Sequence, residues 1–163
     1  MKKLIYTLLI IIALTNNSFA AGSSSDSDST PKASDYTKAK KLIEAAKKYE
    51  KKGKTEKALK KYLKAQKLLL KSNDKKPLQA DTLNYLGFTT RKLGDYEGGE
   101  EFYLQGLQIE PDHNGINEYL GELYVATNRM DMAKERLEVL KTCNCEEYDE
   151  LKEIIEGTKK SKY

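Results

Sequence analysis

Histidine, cysteine and tryptophan are scarce in this chain of 163 residues, which contains one histidine, two cysteines and no tryptophan. One imidazole and two thiols offer too little material for a metal centre or a nucleophile–base pair. Three prolines and ten glycines are also too few for a fibrous or wholly disordered chain. The composition therefore predicts one soluble globular domain without a cofactor, and it says more about architecture than about activity.

Long apolar runs are also rare, and the longest covers residues 4–14, directly after Lys2 and Lys3. This run is too short to cross a bilayer about 30 Å thick as a helix. Small residues at Ser18 and Ala20 suit a signal peptidase. The pattern predicts a signal peptide over residues 1–20, cleaved after Ala20, and export to the bacterial periplasm, with an uncleaved anchor as the alternative. Small polar residues at 21–34 predict a flexible Ser-rich linker.

Beyond residue 35 the apolar residues recur at helical spacing and the pattern repeats. Three pairs of like residues stand 34 positions apart: Tyr85 and Tyr119, Leu86 and Leu120, and Pro77 and Pro111. Self-similarity at this period indicates helical hairpins that bury their apolar faces against one another. We therefore predict hairpins near 39–72, 80–113 and 114–141.

These residues resemble the tetratricopeptide repeat (TPR), in which Leu-Gly and an aromatic mark the first helix and alanine marks the second. Two hairpins match well, through Leu83, Leu86, Gly87, Tyr103 and Pro111 and through Leu120, Gly121, Tyr124 and Ala133. The resemblance covers roughly residues 38–141 and implies an all-α, right-handed α-solenoid of about three hairpins. It also implies that Gly87 and Gly121 let the second helix of each hairpin approach the first.

The helical domain is predicted to span residues 35–157, because an apolar face at 145–157 suits a C-terminal capping helix. A basic, frayed tail is expected at 158–163. Two features depart from the repeat pattern. Gly98, Gly99 and Gly106 favour either close backbone contact or a hinge. Extra residues around 71–75 predict either two added helical turns or a longer loop.

Charge is segregated along the chain. Residues 36–79 hold sixteen lysines against four acidic residues, a net charge of +12, whereas residues 80–157 hold seven basic against eighteen acidic residues, a net charge of −11. The basic surface, which includes Lys40, Lys47 and Lys51, is either simply solvated or a docking face for an anionic envelope surface, and self-association of opposite faces is a further possibility. Export and the lack of an aromatic stacking platform argue against nucleic acid.

Two further motifs bear on possible chemistry. Residues 98–102 spell GGEEF and resemble the signature loop of diguanylate cyclases, but they fall within a helical pattern and the rest of such an enzyme is absent. Adjacent carboxylates point to different helix faces, so we predict no enzyme. Cys143 and Cys145 leave three alternatives open: a disulfide clip, free or intermolecular thiols, or a redox or metal-binding role.

The resemblance to TPR proteins implies a concave groove that binds an extended peptide or a partner helix. The groove positions are Asn84, Phe88, Arg91, Lys92, Glu118 and Glu122. An exposed Phe88 would serve as an apolar anchor, and ordinary packing between repeats is the alternative. We therefore expect a non-catalytic protein–protein interaction scaffold whose partner is a protein or peptide.

Overall fold

The computed structural model describes residues 33–161, which form seven α-helices and no strand. The helices are α1 (Asp35–Glu50), α2 (Thr55–Lys75), α3 (Ala80–Lys92), α4 (Tyr96–Ile109), α5 (Asn114–Ala126), α6 (Met130–Leu140) and α7 (Glu146–Ile155). The predicted signal peptide, its cleavage site and nearly all of the linker lie outside the described residues. None of the helices in 33–161 combines the length and apolar content that crossing a membrane requires.

Short polar side chains define where several helices begin. The Ser34 hydroxyl accepts a hydrogen bond from the Thr37 N–H at 3.0 Å, so the last residue of the predicted linker is the N-cap of α1. The Asp95 carboxylate caps α4 in the same way. At α5 the cap is the imidazole of His113, whose Nδ1 accepts from the Ile116 N–H at 3.2 Å. The only histidine of the chain therefore has a structural role.

Consecutive helices pair as hairpins, α1 with α2, α3 with α4, and α5 with α6, and α7 packs mainly on α5. Successive hairpins also contact one another, through α2 with α3 and α4 with α5. One continuous hydrophobic core runs through α1 to α6. The predicted all-α stack of three hairpins with a C-terminal capping helix is thus confirmed.

The extra residues between the first two hairpins are helical. α2 is 21 residues long and continues to Lys75, so the excess forms added turns of helix and the loop to α3 remains short. These turns lie beside the start of α1, where Lys75 Nζ is 2.7 Å from Asp35 Oδ2. This hydrogen bond lowers the pKa of the Asp35 carboxyl.

Glycines mark close approaches between helices. A Cβ on Gly99 would lie 3.1 Å from both the Gly87 carbonyl oxygen and Arg91 Cβ, so α4 lies directly against α3. Close backbone contact, one of the two alternatives, accounts for this glycine. Gly87 faces the ring of Tyr103 on α4, as expected within a hairpin. Gly121 does not face its own hairpin partner: its neighbour is Leu151 of α7, so that expectation is wrong.

Candidate functional site

The first helices of the three hairpins lie side by side with α7, and their side chains meet on one face. Lys47 of α1 lies over the ring of Phe88 of α3, with Nζ 5.0 Å from the ring centroid. The Phe88 ring lies 5.1 Å from that of Tyr119 on α5, and carboxylates from α5 and α7 adjoin one another. We call this surface, built from α1, α3, α5 and α7, the groove face.

Phe88 is not the exposed anchor that one reading of the sequence predicted. It is 1% exposed, and its ring meets Tyr62 edge-on at a centroid distance of 5.7 Å as well as contacting Tyr119. The alternative, packing between repeats, describes this position. Aromatic contacts of this kind join α2, α3 and α5.

Arg91 is also buried, at 2% exposed. Its Nη1 donates to the Tyr119 carbonyl oxygen at 2.7 Å, and its Nη2 lies 3.8 Å from Glu122 Oε2. The guanidinium lies 5.8 Å from the ring centroid of Tyr103. A buried guanidinium requires such partners, because removing its charge from water is costly. Arg91 therefore ties α3 to α5, a role that the sequence did not indicate.

A cavity of about 480 Å³ opens between α1, α3 and α7. Phe88 is its aromatic component, and the rest of its wall is charged: Glu44, Lys47, Lys48, Glu50, Lys51, Lys92 and Glu150. We call it the lysine-rimmed cavity. The structure thus brings together Lys47 and Lys51 of the predicted basic surface with Phe88 and Lys92 of the predicted groove. Sequence reasoning missed Glu44, Lys48, Glu50 and Glu150, because their position depends on how α1 and α7 are placed.

Ion pairs account for most of the acidic groups in this wall. Lys92 Nζ is 2.7 Å from Glu50 Oε1, and the Lys92 side chain is only 8% exposed. Glu44 lies 3.9 Å from Lys47 Nζ. Lys48 and Lys51 are exposed at the rim, and no ion pair joins them to another described residue. The rim therefore presents cationic donors toward solvent.

The other predicted residues lie away from this cavity. Asn84 and Glu118 line a separate, acidic cavity of about 430 Å³ between α3 and α5, together with Asp81, Glu110 and Asp112. Lys40 lies 5.5 Å from the ring centroid of Tyr85 and is not in the wall of either cavity. The six predicted groove residues therefore share one face but do not form one site.

Three carboxylates meet where α5 adjoins α7. Glu118, Glu122 and Glu150 each place an oxygen within 4.8 Å of the others, and the first two are buried. We call them the acidic cluster. Carboxylate oxygens of this kind are ligands for hard cations, but here cationic side chains of the same chain are close. Arg91 adjoins Glu122, and Lys159 Nζ is 3.1 Å from Glu150 Oε1.

The surroundings of the acidic cluster also affect two tyrosines. Burial raises the pKa of the Tyr119 phenol, and the charge of Glu118 raises it further. Burial likewise raises the pKa of Tyr103, whose hydroxyl has no hydrogen-bond partner among residues 33–161. Both phenols are therefore neutral at physiological pH and act as packing groups.

The cysteines lie outside the groove face. Cys143 and Cys145 are joined by an intramolecular disulfide in the turn between α6 and α7, which is one of the three alternatives that the sequence left open. His113 is occupied at the cap of α5. In the described part of the chain, the thiols and the imidazole are therefore not assembled into a site.

Comparison with known proteins gives structural similarity only. No family model matches the chain, and no match is found among curated proteins. The chain is similar to the solved first TPR domain of Spaghetti (RPAP3) bound to the HSP90 peptide SRMEEVD, with 23% identity, a TM-score of 0.48 and coverage of 77% of this chain and 96% of that one. It is also similar to the first TPR domain of human RPAP3, with 22% identity, a TM-score of 0.47 and coverage of 77% and 98%.

Proposed function

We propose that this chain is a non-catalytic protein-interaction module that binds an extended peptide segment on its groove face. The observation that carries the proposal is the lysine-rimmed cavity, with Phe88 in its wall and exposed amines at its rim. Its volume of about 480 Å³ lies within the range of roughly 300–1,000 Å³ that ligand pockets occupy. Exposed amines at the rim of a cavity suit a peptide, because its backbone carbonyl groups and carboxylates accept hydrogen bonds from them.

The charges of the wall indicate the chemistry of the peptide. Glu44, Glu50 and Glu150 are close to lysines of this chain, whereas Lys48 and Lys51 are exposed without an ion pair among the described residues. The rim therefore favours peptide groups that accept hydrogen bonds over peptide groups that donate them. We expect the bound segment to carry an acidic side chain beside an apolar one.

A charge-reversal experiment tests this function. Peptides are selected from a random library displayed on phage, and their affinity is then measured for the wild type and for Lys48→Glu with Lys51→Glu. We expect the double variant to bind the selected peptides at least about tenfold more weakly, since about 1.4 kcal/mol of attraction is lost.

The matched control is Lys64→Glu with Lys67→Glu, which makes the same charge change on the exposed surface of α2. This control should bind like the wild type. Equal weakening of both variants would show only a general charge effect, and selected peptides that bind all three proteins equally would overturn the proposed site.

α2 itself supports a second candidate function. Leu59, Leu63 and Leu70 are 39–44% exposed and share one side of the helix, flanked by exposed lysines. Such a surface suits attachment to an anionic envelope lipid. Here Lys64→Glu with Lys67→Glu should abolish binding to phosphatidylglycerol vesicles, whereas Lys48→Glu with Lys51→Glu should reduce it less. Binding that does not weaken steeply with salt, or that is equal on phosphatidylcholine, would exclude this candidate.

We also propose that the module acts after export, in the bacterial periplasm. The support is the sequence pattern of residues 1–20, with its basic start, short apolar run and small residues before Ala20. Intact mass measurement of protein from a periplasmic fraction should show a chain that begins at Ala21. A full-length chain recovered from the cytoplasm would contradict this location. Alkylation in the same sample should leave Cys143 and Cys145 unmodified, whereas two reactive thiols would contradict the disulfide.

A further inference from the structure

Residues 158–161 follow α7 and form a short segment, which we call the tail. We propose that the tail is docked on the acidic cluster of the groove face as an intramolecular occupant, and that it competes with a bound peptide. The docking stands on the contacts of the tail alone. The competition rests on the proposed function.

A turn after α7 sends the tail back along that helix. Gly157 has a φ of +73°, which glycine adopts without strain and which ends the helix. The N–H groups of Thr158 and Lys159 then donate to the Glu153 carbonyl oxygen at 3.0 and 3.1 Å. The Thr158 hydroxyl donates to the same oxygen. In the structure, residues 158–161 therefore lie against α7, whereas the sequence predicted a frayed tail.

The side chains of the tail meet carboxylates from two helices. Lys159 Nζ lies 3.1 Å from Glu150 Oε1 and 3.4 Å from Glu153 Oε2, both on α7. The Ser161 hydroxyl donates to Glu122 Oε2 of α5 at 3.2 Å, across 39 positions of sequence. Glu122 is fully buried, so Ser161 reaches a group that belongs to the interior of the groove face.

Charge explains why this segment docks here. The acidic cluster gathers three carboxylates in a small volume, and a neighbouring cation stabilises such a group. Lys159 supplies that cation and is only 37% exposed in its side chain, whereas Lys160 points to solvent and has no ion pair with another described residue. The segment therefore uses one lysine for docking and leaves its neighbour outside the contact.

The docked tail lies at the edge of the lysine-rimmed cavity. Glu150 belongs both to the wall of that cavity and to the ion pair with Lys159. A peptide that extends from the cavity along α7 meets the tail at this residue. The fraction of molecules with an undocked tail then sets the apparent affinity of the peptide.

The test compares Lys159→Ala with Lys160→Ala in the full chain, because both variants remove one positive charge from adjacent positions. Backbone ¹⁵N relaxation measures order at residues 158–161. We expect a rigid tail in the wild type and in Lys160→Ala, and greater motion at residues 160 and 161 in Lys159→Ala, which keeps the hydrogen bonds of residues 158 and 159 to the Glu153 carbonyl. Lys159→Arg should keep these two residues rigid. A wild-type tail as mobile as a free peptide, or unchanged order at residues 160 and 161 in Lys159→Ala, would overturn the docking through Lys159.

Competition is read from the order of the tail in the wild type with and without a phage-selected peptide, because Lys159→Ala would also leave the negative charge of Glu150 unpaired in the cavity wall. At saturating peptide, residues 158–161 should become mobile, since a bound peptide and a docked tail exclude one another. A tail that stays rigid in the saturated complex would overturn the competition and leave the peptide site intact. If no peptide binds any variant, the proposed function and the competition both fail, while the relaxation data still decide the docking.

Discussion

At the scale of single residues, each buried charged or phenolic group must be stabilised by its neighbours. Arg91 is enclosed between the Tyr119 carbonyl, Glu122 and two aromatic rings. Its charge is therefore part of the interior. Reversing the charge of Arg91 would therefore disturb the fold, and it would not test the groove as a binding surface.

We expect Arg91→Ala to lower the free energy of unfolding by about 3 kcal/mol, because it leaves buried Glu122 without its guanidinium neighbour and opens a cavity. Urea denaturation followed by circular dichroism measures this change. Lys60→Ala, which removes an exposed ion pair on α2, should cost less than about 1 kcal/mol. If Arg91→Ala lost as little stability as Lys60→Ala, the structural role of Arg91 would be contradicted.

Buried phenols predict instability at high pH. Burial raises the pKa of Tyr124 to about 12, from an ordinary value of 10.0, and burial raises the pKa of Tyr62 and Tyr119 as well. As pH rises, the unfolded chain loses its phenolic protons at lower pH than the folded protein does. The buried phenols therefore contribute fully to the free energy of unfolding below pH 10, and this contribution falls as pH rises toward 12. Absorbance at 295 nm should reach its full phenolate amplitude only when helical circular dichroism is lost, because the buried tyrosines ionise on unfolding. Full phenolate amplitude with the helix signal intact would contradict the prediction.

At the scale of helices, close approach decides which residues are tolerated. α4 contains three glycines, and the one at position 99 faces backbone atoms of α3. α7 approaches α5 in a similar way, with Leu151 seated over Gly121. Both contacts require a position without a Cβ, and in both the helix that fills the space is set by tertiary packing.

Gly99→Ala should therefore destabilise the protein although alanine is the better helix former. The gain in helix propensity is about 1 kcal/mol. The added methyl would lie 3.1 Å from a carbonyl oxygen that cannot rotate away, so we expect a net loss of about 1–2 kcal/mol. Glu101→Ala, an exposed change on the same helix, should be neutral or slightly stabilising. The melting temperatures of the two variants distinguish them. A higher melting temperature for Gly99→Ala than for the wild type would show that the contact between α3 and α4 has room for a methyl group, contrary to the prediction.

At the scale of the whole molecule, the division of charge is the dominant property. The net charge of +12 on residues 36–79 falls on α1, α2 and the loop after them, while −11 on residues 80–157 falls on α3 to α7. The two regions belong to successive hairpins of one stack. Opposite charge on different parts of one molecule favours contact between copies when screening is weak.

We therefore expect reversible self-association at low ionic strength. The screening length is about 30 Å at 0.01 M salt and about 8 Å at 0.15 M. Sedimentation velocity should show faster-sedimenting species at the lower salt concentration and monomer at the higher one. Lys64→Glu with Lys67→Glu should reduce the association. A monomer at both salt concentrations would contradict self-association, and the charged surfaces would then be solvated without a partner copy.

The sequence alone indicates the helical hairpins, because the 34-residue repeat and the apolar stripes predict which faces are buried. It also indicates the division of charge and the presence of a seventh helix. Local patterns carry this information, because a helix and its apolar face are set by residues a few positions apart.

Helix packing in three dimensions sets which side chains meet. It buried Phe88 and Arg91, divided the predicted groove residues between two cavities, placed Leu151 against Gly121, and folded Lys159 and Ser161 back onto α5 and α7. These contacts join positions up to about forty residues apart, and they depend on the distance and angle between whole helices. A one-dimensional pattern specifies that a face is covered, whereas packing in three dimensions specifies what covers it.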